Sequence, residues 1–88
     1  MVMVKNLNNT SGREPKDYDS WLEFWEAKTG KKANKCACCP ADAEVGAHVK
    51  KDSVFDNEWY IIPLCNRCNQ KPSEDRFYVA EEMVPVNP

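Results

Sequence analysis

The chain has 88 residues, 12 basic and 14 acidic side chains, a formal charge of −2 and 42% hydrophobic residues. A chain this short buries only about 60–65% of the surface it exposes when unfolded, which excludes a large self-sufficient core and calls for a staple. The near-neutral balance excludes binding to nucleic acid or membrane through bulk charge alone, and five cysteines are at hand as the staple.

Residues 1–16 mix Asn, Thr, Ser, Gly and Pro without a sustained apolar period. They read as an arm, with a short strand at Met1–Val4 as its only element. The apolar run in MVMVKNLNNTSG is too short for a signal-peptide core or a membrane span, which sets the expectation of a cytoplasmic, reducing location and no membrane partner. Clustered thiols in such a compartment more often hold zinc than pair with one another.

From Tyr18 the pattern changes. Tyr18, Trp21, Leu22 and Trp25 fall at helical spacing, with Glu23, Glu26 and Lys28 on the other side. This predicts an amphipathic helix over residues 18–30, capped by Asp17 or Asp19 and closed at Thr29-Gly30, where glycine takes the left-handed conformation. Its tryptophans are expected to pack on the stapled half of the chain.

The cysteines follow in two matched pairs, Cys36 with Cys39 and Cys65 with Cys68, each separated by two residues. That spacing lets both sulfurs of a tight turn reach one ion at about 2.3 Å, so the four are assigned to a closed, structural Zn2+ site. Adjacent Cys38 is left free, or replaces one partner of the first pair, because Pro40 has no N–H to give to a sulfur. Between the pairs, EVGAHV and WYIIPLC read as the strands of a hairpin joined by the turn-rich KKDSVFDNE. Past CNRCNQKP, where Pro72 limits any helix to little more than a turn, FYV reads as a closing strand. The fold class is α+β, with the helix packed on a zinc-bound ββα-like unit. Between Lys31 and Lys71 seven bases face five acids, an excess that four zinc-bound thiolates and the ion would cancel.

A cysteine pair in a turn, a strand carrying GAHV, a loop containing Asn57, a second strand, and PLCNRCNQK opening a helix together resemble the HNH group of His-Me finger endonucleases, in its zinc-stapled treble-clef form. The likeness spans Cys36 to Lys71 and makes residues 31–88 a zinc-binding HNH-like domain after the arm (1–17) and the helix (18–30). The resemblance implies that His48 is the general base activating water, that Asn57 orients it, and that Asn69 holds a catalytic Mg2+ or Mn2+. The implied activity is hydrolysis of a DNA or RNA phosphodiester, which needs a base near water and a cation beside the phosphate. Ala47 stands where many members carry an acidic metal ligand. The competing reading is a non-catalytic zinc domain that binds protein or nucleic acid, with His48 as plain structure. Lys50, Lys51, Arg67 and Lys71 either flank His48 and meet phosphates or form a solvated rim.

Overall fold

The computed structural model describes residues 2–7, 15, 17–53, 55–56, 58–72, 74–79 and 83–86. In chain order the elements are β1 (Val2–Asn6), α1 (Trp21–Thr29), β2 (Val45–Lys51), β3 (Trp59–Leu64), α2 (Asn66–Asn69), β4 (Arg76–Val79) and β5 (Val84–Pro85). The strands form one antiparallel sheet in the order β4-β1-β2-β3-β5. Mixed helix and antiparallel sheet agree with the expected fold class.

The β2–β3 hairpin is the backbone of the sheet, pairing Val45 with Leu64 through to Lys50 with Trp59. Side chains alternate between the faces. Ala47 and Val49 therefore share one face with Tyr60, Ile62 and Leu64, and these pack with Val4, Phe77 and Val79 into the main core. Gly46 and His48 look the other way, alongside Ile61 and Trp59. This second face is covered by α1, which packs on β2, β3 and β5.

The start of α1 is set by Ser20. Its backbone is extended and its side-chain oxygen accepts the Glu23 N–H at 3.1 Å, while the Glu23 carboxylate accepts the Asp19 N–H at 3.2 Å. Ser20 through Glu23 is thus close to a capping box. The cap expected at Asp17 or Asp19 falls instead on Ser20, and the helix begins at Trp21 rather than Tyr18. Its end is as expected: Gly30 takes φ 72° and donates its N–H to the Glu26 carbonyl at 2.9 Å. Trp25 is buried, and Trp21, Leu22 and Phe24 are half-buried.

The N-terminal segment departs most from expectation. Residues 1–17 were expected as an arm with a strand at Met1–Val4, yet β1 runs Val2–Asn6 and lies inside the sheet between β4 and β2. Val4 sits opposite Lys51 on one side and Phe77 on the other, and is fully buried. The physical reason is the alternation Val2, Val4, Asn6, which gives the strand a core-facing side that a polar average over sixteen residues hides. The FYV segment does close the sheet, but against β1 rather than the hairpin.

Gly46 allows α1 to rest directly on β2. A Cβ there would lie 2.5 Å from the Trp21 carbonyl carbon and 2.6 Å from the Leu22 nitrogen, both backbone atoms that cannot rotate away. Gly46→Ala is expected to cost about 2 kcal/mol by forcing helix and sheet apart, lowering the melting temperature by roughly 10 °C. Thermal unfolding followed by far-ultraviolet circular dichroism checks this; an unchanged melting temperature would mean that α1 does not seat on Gly46.

Candidate metal centre

The first cysteine pair sits in a small closed turn. Lys35 and Asp42 form an antiparallel bridge and an exposed ion pair at 2.9 Å. The Ala43 N–H donates to the Asn34 carbonyl at 3.1 Å, and the Cys36 N–H to that of Ala41 at 2.8 Å. The turn is tied to the hairpin by the Ala37 N–H donating to the Pro63 carbonyl and the Glu44 N–H donating to the Leu64 carbonyl, both at 2.9 Å. Pro63 lacks a ladder N–H, but its carbonyl is used to hold the turn.

The second pair opens α2. Cys65 is the N-cap residue, and the Asn69 N–H donates to its carbonyl at 3.0 Å. The Glu44 carboxylate accepts the Asn66 N–H at 2.9 Å, joining the β2 approach to the second turn. α2 is only four residues long, as Pro72 suggested, and its last carbonyls need partners from elsewhere.

These turns bring Cys36, Cys39, Cys65 and Cys68 together, with all four sulfurs within 4.8 Å of one another. Cys39 Sγ lies 3.7 Å from Cys65 Sγ and 3.7 Å from Cys68 Sγ. A tetrahedron with metal–sulfur bonds of about 2.3 Å has sulfur–sulfur edges of about 3.8 Å, so the cluster is already close to the shape that structural zinc requires. It could hold a metal ion through sulfur alone.

Backbone dipoles prepare the sulfurs for the thiolate form. Burial pushes the Cys36 thiol up, but the N–H groups of Cys65, Cys38 and Cys39 outweigh it and bring the group down to about 7. The Cys38 N–H reaches Cys36 Sγ at 3.4 Å. At Cys39 the Ala41 N–H favours the thiolate, so the lack of an N–H at Pro40 is made good one residue later, although burial and the Cys65 thiol leave the group raised. Burial and the thiols of Cys65, Cys38, Cys39 and Cys36 hold Cys68 well above the usual thiol range. Four sulfurs at these distances cannot all ionise unaided, and a divalent cation relieves that conflict. Cys38 is not among the clustered four and contributes its backbone N–H.

The residues expected to act with His48 are not gathered in the same way. His48 is 7% exposed, with its ring edge-to-face against Trp21 at 4.9 Å and near Trp59 at 6.3 Å. It belongs to the α1 face, whereas the cysteines pack with Ala47 and Val49 on the other, so the sheet lies between the His48 ring and α2. Asn69 ends α2, and Asn57 lies outside the described residues. Compared with protein-family models, curated proteins and solved structures, the chain matches none. Among the described residues, no helix is long and apolar enough to cross a membrane.

Sequence reasoning missed Asn6. It is buried on the core-facing side of β1, and its amide nitrogen donates to the carbonyls of Cys68 at 3.0 Å, Asn69 at 3.3 Å and Lys71 at 3.1 Å. These carbonyls lie at the end of α2 and in the turn after it, where the helical ladder runs out. The available signal was an amide at the third inward position of VMVKN, where the alternation demands an apolar side chain.

Binding of structural metal contributes about 10 kcal/mol or more to small domains. Chelation is therefore expected to collapse the dispersed amide spectrum of residues 31–79. Cys65→Ser and Cys68→Ser are expected to prevent folding, and Cys38→Ser to change the melting temperature by less than about 3 °C. A chelated protein that keeps its full dispersion would show that the fold does not rely on metal.

Proposed function

We propose that the chain is a small structural-zinc domain on the treble-clef plan of the zinc-stapled HNH group, used as a non-catalytic binding module. The observation that carries the zinc assignment is the convergence of four cysteine sulfurs at near-tetrahedral edge lengths, with no histidine or carboxylate among them. Such an all-sulfur set suits zinc and leaves no open position for substrate. The order of cysteine turn, hairpin and cysteine turn opening a helix supports the HNH plan.

The non-catalytic reading is supported by His48. A general base must reach water and substrate, and this imidazole is covered by Trp21 and α1. A catalytic Mg2+ or Mn2+ would have to be shared by His48 and Asn69, although the sheet lies between the His48 ring and α2. The bases expected to rim His48 are also divided. Lys50 is on its face, while Lys51 lies over the Tyr60 ring at 4.9 Å and Lys71 over the Phe77 ring at 5.8 Å. That division favours a protein ligand over a polyanion, for which cations line a single surface.

Purified protein is expected to contain one zinc per chain, with X-ray absorption showing sulfur alone at about 2.3 Å. No magnesium- or manganese-dependent plasmid nicking is expected. His48→Ala should retain zinc while lowering stability by about 1–3 kcal/mol, measured by denaturant unfolding, as the ring's packing is lost. Nicking that requires magnesium and disappears in His48→Ala would replace this reading with an endonuclease using His48, Asn57 and Asn69.

A further inference from the structure

We infer that Asn6 is a positioning residue of the metal centre, through which the N-terminal strand β1 controls how firmly the site holds its ion. The inference rests on the zinc reading above and adds a residue 62 positions away from Cys68 in the chain.

The alternation of β1 calls for an aliphatic side chain at position 6. Val2 and Val4 precede it on the same side of β1, and its partner across the strand is Val49. An aliphatic side chain would continue the core. Asn6 instead puts an amide in a place that is 4% exposed, and its Oδ1 finds no donor among the described residues. Such an oxygen is a cost to stability. The compensation lies in the Nδ2 donors, which meet the carbonyls of Cys68, Asn69 and Lys71 around the end of α2.

Those carbonyls belong to the segment that aims Cys68. α2 is one turn long and is followed by Pro72, so the intrahelical ladder offers little to fix its C-terminal half. The Lys71 N–H returns to the Cys68 carbonyl at a long 3.3 Å. Asn6 gathers the Cys68, Asn69 and Lys71 carbonyls onto one amide, which fixes the turn from which the Cys68 sulfur points toward Cys39. Partners behind a ligand commonly set its orientation and change metal affinity by 10–100-fold. Its amide hydrogens also bring positive dipole to a neighbourhood that four thiolates and one zinc would leave at −2.

The test uses the 88-residue chain loaded with cobalt(II) or zinc. Val4→Ala serves as the comparison, because it removes buried contact from the same face of the same strand while leaving the Asn6 hydrogen bonds in place. Zinc transfer to excess chromogenic chelator is expected to be about tenfold faster in Asn6→Leu than in wild type, and to change less than threefold in Val4→Ala. The cobalt absorption of the loaded protein reports ligand geometry independently of stability, and its bands are expected to shift in Asn6→Leu only. Where Asn6→Leu does not fold, Asn6→Ser, which keeps one donor, is expected to show a smaller shift of the same sign and intermediate release. Equal release from the leucine and Val4→Ala variants, or a wild-type cobalt spectrum in every folded Asn6 variant, would overturn the inference while leaving the zinc reading intact. A wild-type chain that takes up cobalt without sulfur-to-metal charge-transfer bands would overturn both.

Discussion

Four sulfurs held within 4.8 Å are the constraint around which the other parts are arranged. Two turns, separated by a hairpin, must converge on one point, and each has its own means of arriving there. The first is closed by its Lys35–Asp42 bridge and tied to β3 through the Pro63 carbonyl. The second is fastened from both ends, by the Glu44 carboxylate at Asn66 and by the Asn6 amide beyond Cys68. The exposed ion pair contributes little to stability itself. The hydrogen bonds to the turns matter more, because they settle where the sulfurs point in the folded domain.

The sheet separates this chemistry from the histidine. One face carries the cysteines and the aliphatic core, while the other carries Gly46, His48, Ile61 and Trp59 under α1. A one-residue shift of register would exchange the two sets, so the alternation through GAHV decides whether His48 meets the metal side or the helix side. It meets the helix side, where Trp21 presents an edge-to-face surface to the imidazole. Gly46, two residues earlier on that face, brings the helix close enough for the contact.

Local signals are legible in the sequence, and distant ones are not. The hairpin strands, the left-handed Gly30, the truncated α2 and the paired cysteines each follow from residues within a few positions of one another. Ser20 displaced Asp19 as cap because both are good capping residues, and only the Glu23 N–H, bonded to Ser20 Oγ, decides between them. β1 was underestimated because a five-residue strand with one lysine and one asparagine gains its stability from β2 and β4, which are remote in sequence. β5, two residues long and ending in Pro85, has almost no local signature and exists through its pairing with Tyr60 and Ile61. The Asn6 amide and the need for glycine at position 46 depend on elements that no spacing rule connects.

The interior position of β1 also sets an order in time. Made before its partners, β1 has nothing to pair with until Val45–Lys51 emerges, and its other side stays open until Arg76–Val79 follows. The first cysteine turn is made before β2, and β3 and the second cysteine turn before β4, so the hairpin and both metal turns are in place before the sheet can be completed. Sheets closed by such distant segments fold more slowly than those built from neighbours. Until β4 arrives, Val2 and Val4 are an exposed apolar edge on the growing chain, the kind of surface that chaperones engage.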